Sequence, residues 1–115
     1  MFIANPTDVP SGIFAYTLRP TRLAMLSEGP TQAELEVAAE HWTYSQQLLA
    51  QDIILFAGRT LTPTEDSFAI CVIRSRSEAE ARAIMEGDPA VRAGMFIGKL
   101  FPYQPMLIAD WPPAA

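Results

Sequence analysis

The chain carries one histidine, His41, and it is the natural place to look for proton chemistry. The unperturbed pKa of imidazole lies near neutrality, so a positioned histidine can both take and return a proton. A single histidine cannot build a zinc site, which needs three or four ligands at suitable spacing. A general base is therefore the sharper reading of His41, and a half-buried core histidine with one hydrogen bond is the plainer one. Tyr44 lies three residues on and shares a helix face with it. Its hydroxyl could donate to a substrate oxygen, or it could be a core aromatic with a wet tip. Arg22 and Arg59 are candidate anion clamps, because a guanidinium grips a carboxylate through two parallel N–H bonds. Asp88 precedes Pro89, the pattern of a helix start in which the carboxylate caps an orphan amide. A carboxylate has two oxygens, so capping leaves one free for a second donor. Cys71 sits in the apolar run Phe68-Ala-Ile-Cys-Val-Ile73 and reads as a small core hydrophobe. Glu65 and Asp66 lie in a polar loop and read as solvated turn residues.

Those side chains need a scaffold, and the pattern of the chain describes one. A length of 115 residues suits a single domain, with 1–12 as an N-terminal arm and 109–115 as an irregular tail. Apolar Ile13–Leu18 and Leu23–Leu26 predict a first strand over 13–26, interrupted at Pro20. Thr31-Gln-Ala-Glu34 spells a capping box and opens a helix from Gln32 to Ala50. Two apolar lines run along that helix, Leu35, Ala38, Trp42, Leu49 and Val37, His41, Tyr44, Leu48. Ile53–Ala57 predicts a short buried strand ended by Gly58, and Ser67–Arg74 its antiparallel neighbour. Ser77-Glu-Ala-Glu80 repeats the capping pattern and starts a second helix, ended by Gly87. Asp88-Pro89 opens one further turn before Gly94. Met95–Phe101 is the last long strand, resuming at Met106–Ile108.

The order strand, helix, strand, strand, helix, strand is that of an α+β, ferredoxin-like βαββαβ fold, a four-stranded antiparallel sheet with two helices on one face. The strands read apolar on both sides, whereas a half-solvated sheet alternates. Burying the bare face against a second copy predicts a homodimer joined sheet to sheet.

Composition narrows the function classes. The net charge of −5 lacks the basic footprint that nucleic acid or anionic membranes require. No apolar run reaches the roughly 18 residues of a membrane span, and the first residues lack the layout of a signal peptide. A soluble, cytoplasmic protein is expected. One cysteine excludes an intramolecular disulfide.

Several segments together resemble the YciI-related family: His41-Trp-Thr-Tyr44 with Leu48, Ile54-Leu-Phe-Ala-Gly58, Ser77-Glu-Ala-Glu-Ala-Arg-Ala-Ile84, Asp88-Pro-Ala-Val91 with Gly94 and Phe96, and Phe101-Pro-Tyr103. The likeness runs from about Phe14 to Ile108. It departs at Gly58-Arg59, where the family often carries Gly-Pro. The resemblance implies a dimeric α/β barrel and a cleft in which His41 and Asp88 approach as a catalytic dyad, with no required cofactor. The expected activity is proton transfer on a small organic acid or enol, by elimination, isomerisation or hydrolysis. The alternative is a non-catalytic small-molecule-binding or interaction module on the same dimeric fold.

Overall fold

The computed structural model describes residues 2–3 and 12–110. In chain order the elements are β1 (Phe2–Ile3), β2 (Ile13–Pro20), α1 (Ala24–Ser27), α2 (Gln32–Ala50), β3 (Ile54–Arg59), β4 (Ala69–Arg74), α3 (Glu78–Glu86), α4 (Pro89–Arg92), β5 (Phe96–Pro102) and β6 (Leu107–Ile108). The main sheet has the order β3-β4-β2-β5, with every neighbouring pair antiparallel. Because β4 lies between β2 and β3, the first crossover through α2 is a split βαβ unit, and the fold is ferredoxin-like. A separate ribbon pairs β1 with β6.

The core lies between the sheet and the helices. Phe14, Tyr16 and Leu18 alternate along β2 and point to one face, where they meet Cys71 and Ile73 of β4, Leu48 of α2, and Ala81 and Met85 of α3. Ile73 and Ala81 are completely buried. Helix α3 presses on β5 at Gly98, where an added Cβ would stand 2.7 Å from the sulfur of Met85. A side chain there would force Met85 to repack. The opposite face carries Phe56, Val72, Ala15 and Phe101 in one cross-strand row. Among the described residues nothing covers the outer part of that face: Ile97 is 64% exposed and Phe56 59%.

Helix α2 begins and ends where the sequence places it. The Thr31 hydroxyl accepts from the Glu34 amide at 3.1 Å, and the Glu34 carboxylate accepts from the Thr31 amide at 2.8 Å. The second capping pattern closes on one side only. Ser77 accepts from the Glu80 amide, but the Glu80 carboxylate turns to Arg76 instead of reaching back.

Three expectations change. The first strand stops at Pro20, and Leu23–Leu26 enters the short helix α1 rather than extending the ladder. Proline has no N–H for the sheet, and the next residue, Thr21, ties off the pairing with its amide on the Met95 carbonyl and its hydroxyl on the Gly94 carbonyl. The strand read as buried Ile53–Ala57 is the edge strand Ile54–Arg59, in which only Ile54 is buried, and Gly58 does not end it. Leu55 sits at a bulge and Phe56 lies on the sheet face away from the helices, and both stay exposed, which composition cannot distinguish from a core. Of the two apolar lines on α2, that through Leu48 enters the core, while Leu35, Trp42 and Leu49 stay exposed. Most of the expected N-terminal arm and the end of the tail lie outside the described residues.

Candidate functional site

Asp88 is placed by the turn between α3 and α4. Gly87 caps the end of α3, and the bulk of Pro89 holds Asp88 in extended backbone, with φ −63° and ψ 127°. From there its carboxylate points inward and is 1% exposed. One oxygen, Oδ1, accepts from the Ala90 amide at 2.8 Å, which is the helix cap. The carboxylate also faces Nδ1 of His41, at 2.9 Å from Oδ1 and 2.7 Å from Oδ2. A buried carboxylate is costly unless hydrogen-bonded donors surround it. The arrangement therefore assigns the Nδ1 proton to the ring and the acceptor role to Asp88.

His41 comes from the middle of α2, 47 residues away in sequence. Its ring meets Phe96 edge-on, with centroids 5.7 Å apart and planes at 76°. Between the carboxylate and the aromatic edge the ring has one orientation. Nδ1 is committed to Asp88, and Nε2 has no hydrogen-bond partner among the described residues. The side chain is 26% exposed and lines a cavity of about 490 Å³ between α2 and the β3–β4 side of the sheet. Tyr16, Trp42, Ser45, Arg59 and Phe96 contribute to the same wall. This volume is in the range of small-molecule sites. In the neutral tautomer that gives Nδ1–H to the carboxylate, Nε2 keeps its lone pair, which is what accepting a proton from a bound molecule requires.

The neighbouring titratable groups stay neutral. Burial pushes the Cys71 thiol up to about 11, and the Asp88 charge adds to that, opposed by a hydrogen bond with Tyr16. Burial, then the nearby Cys71 and Asp88, raise Tyr16 far above the ordinary phenol range. Burial and the Asp88 charge raise Tyr44 as well. Cys71 is thus no thiolate nucleophile at neutral pH.

The other candidates separate. Arg59, at the end of β3, lines the His41 cavity. Tyr44 does not: its hydroxyl donates to the Ile84 carbonyl at 2.7 Å, tying α2 to α3, and its ring borders a shallow groove on the outer side of α2. Glycine at position 87 leaves room for that hydroxyl, since a Cβ there would lie 3.0 Å from it. Arg22 is also elsewhere. Its guanidinium grips both oxygens of Glu34 at the start of α2 and reaches the Gly29 carbonyl at 3.4 Å. The Arg22 guanidinium and the Thr31 amide hold the Glu34 carboxyl down at about 2. Among the described residues no three His, Cys, Asp or Glu side chains gather as a metal ion would need, and no helix is long and apolar enough to cross a membrane.

Sequence reading missed Tyr16, Ser45 and Phe96 as parts of the cavity wall. They come from three elements distant in the chain, and none carries a local motif. Only the strand register, with Tyr16 opposite both Cys71 and Leu100, brings Tyr16 under His41. Trp42 reads as packing from its helical spacing, yet it is 63% exposed and forms the outer rim of the cavity.

Comparison with known proteins gives two findings. The model of the YCII-related domain matches residues 14–100. Among solved structures, the fold is similar to that of 5-chloro-2-hydroxyhydroquinone dehydrochlorinase from Burkholderia phenoliruptrix, determined in complex with 2,5-dihydroxybenzoquinone, with a TM-score of 0.57 and 22% identity over 78% of this chain and 92% of that one. At this identity the likeness concerns the fold. No curated protein matches the sequence.

Proposed function

This chain belongs to the YCII-related domain family, and we propose that it is a cofactor-independent enzyme that moves a proton on a small organic acid or enol, with His41 as the base. The observation that carries this reading is the pair of contacts between Nδ1 of His41 and the buried Asp88 carboxylate, on a ring that lines a cavity of about 490 Å³ and whose Nε2 has no partner among the described residues. In the proposed step Nε2 takes a proton from a hydroxyl or an activated C–H of the substrate, or, for hydrolysis, from the water that attacks it. Asp88 holds the ring in the required tautomer and stabilises the imidazolium that forms. The same group can return the proton to a leaving group or to another carbon, so elimination, isomerisation and hydrolysis are all within its reach. The similar fold of a dehydrochlorinase solved with a dihydroxybenzoquinone makes hydroxylated and halogenated rings the first compounds to test.

The working unit in this proposal is a homodimer joined through the open sheet faces. Its support is the set of apolar side chains on that face, with Phe56, Ile97 and Phe101 all exposed in the single chain. Covering them would remove apolar area from water on both copies. Sedimentation equilibrium of wild type and Ile97→Lys tests this part, with a dimer expected for the first and a monomer for the second.

For the reaction, a panel of chlorinated and unchlorinated hydroxyhydroquinones and cyclic enolisable acids is incubated with wild type and His41→Asn. The expected result is turnover of at least one compound by wild type and a loss of about a hundredfold or more in the variant, the usual contribution of general acid–base catalysis. Equal turnover by both proteins would remove His41 from the mechanism.

A further inference from the structure

A second concavity adjoins the His41 cavity. It has a volume of about 410 Å³ and lies between α1, the start of α2 and the loop that joins β3 to β4. Four residues line both spaces, namely Leu18, Arg59, Ala69 and Phe96, so the two chambers share a wall. Three of these are apolar and one is a cation.

The two chambers differ in character. The first holds His41, Ser45 and the Tyr16 ring beside Cys71. The second is bounded by Met25, Leu26, Leu35, Leu61, Phe68 and Met95. Large apolar side chains in that wall are left in water: Leu61 is 87% exposed and Leu35 50%. An apolar ligand group seated among them would remove that surface from solvent. Glu34 is the one acid in this wall, and its charge is matched by Arg22. The Arg59 guanidinium has no ion pair or hydrogen bond among the described residues, in contrast to those of Arg22 and Arg76, which are held by Glu34 and Glu80. A guanidinium with no partner among the described residues, set between a reactive chamber and an apolar one, is suited to an anion that joins the two halves of a ligand.

We infer that the ligand of this protein is an amphipathic organic anion, with its acid or enolate group on Arg59, its reacting end toward His41 and an apolar body in the chamber bounded by Leu35 and Leu61. The inference deepens the function proposed above and rests on it only for which end of the molecule reacts. Arg59 is then a specificity residue, selecting anions over neutral analogues, and the apolar chamber selects by the length of the body.

Binding of butanoate, hexanoate and octanoate, and of their neutral amides, measured by calorimetry, tests it. For wild type, affinity for the acids rises with length by about fourfold for each methylene buried, and each acid binds more tightly than its amide. Arg59→Gln loses about tenfold for the acids, as expected for a charged hydrogen bond, and leaves the amides unchanged. Leu35→Asp flattens the length series while keeping butanoate binding. Both positions are exposed, so both variants should fold. Acids and amides binding alike in wild type, a flat length series, or acids indifferent to Arg59→Gln would each overturn the inference. His41→Asn should preserve the series. A preserved series with no turnover by wild type on any ring or enolisable acid would count against the proposed reaction and leave the ligand class standing.

Discussion

Oδ1 of Asp88 lies 2.8 Å from the Ala90 amide and 2.9 Å from Nδ1 of His41, so one oxygen joins a helix cap to an imidazole. The cap fixes the carboxylate and the carboxylate fixes the ring. Asp88 thereby combines the structural role that an Asp before Pro normally has with a hold on the His41 ring, and in the proposed mechanism that hold orients the base.

The two roles come apart by substitution. Asp88→Asn keeps an oxygen that can accept from Ala90, so its stability to urea should fall little. Asp88→Ala loses the cap and should cost about 1 kcal/mol or somewhat more. Both should lose activity by about a hundredfold or more, because the ring is no longer held by a negative charge. Urea titrations together with turnover measurements read both effects. Asp88→Asn with full activity would leave the carboxylate as a cap alone.

Tyr44 is expected to behave in the opposite way. Tyr44→Phe removes the hydrogen bond to the Ile84 carbonyl and should cost about 1 kcal/mol of stability. Turnover should be unchanged, because the hydroxyl is turned away from the His41 cavity. A clear loss of kcat with unchanged stability would place Tyr44 in the reaction.

The parts of this molecule legible in the sequence are those determined over short stretches. Thr31 and Glu34 announce the start of α2 because a capping box needs only four consecutive residues. Gly87, Asp88 and Pro89 announce the turn between α3 and α4 for the same reason. The His41–Asp88 pair spans 47 residues, and nothing local to either side chain shows it. Only the resemblance of several spaced segments to a known family brought them together. Arg22 looked as free as Arg59, since its partner Glu34 stands 12 residues away, beyond the spacing of one helical turn. The exposure of β3 was hidden because Ile54-Leu-Phe-Ala57 has the same composition whether it lies at the edge of a sheet or in its centre.

Cys71 offers a check on the electrostatics around Asp88. Burial and the nearby charge push its thiol up to about 11, so it remains protonated at neutral and mildly alkaline pH. Iodoacetamide at mildly alkaline pH should label the native protein far more slowly than the protein in urea. Mass spectrometry counts the label directly. Rapid native labelling would show a thiolate at that position and contradict the packing described for β2 and β4.

The Arg22–Glu34 pair predicts a dependence of stability on acid. The folded carboxyl titrates at about 2, against about 4.3 for an unperturbed glutamate. Between those values the unfolded chain binds more protons than the folded one, so stability rises with pH across that window. The contribution is complete above the ordinary carboxylate range and is lost as pH falls toward 2. Chemical denaturation of wild type and Glu34→Gln over this range should give curves that converge at low pH and separate at higher pH. Parallel curves would mean that the pair adds nothing in solution.

The account turns on which nitrogen of His41 carries the proton. The chain has one histidine, so a long-range proton–nitrogen correlation spectrum of labelled protein shows that ring without ambiguity. With the ring neutral, the expected spectrum has the proton on Nδ1, facing Asp88, and an unprotonated Nε2. In Asp88→Asn that preference should weaken or reverse. A wild-type ring with its proton on Nε2 and a bare Nδ1 would leave Nε2 unable to accept a proton and would contradict the proposed mechanism.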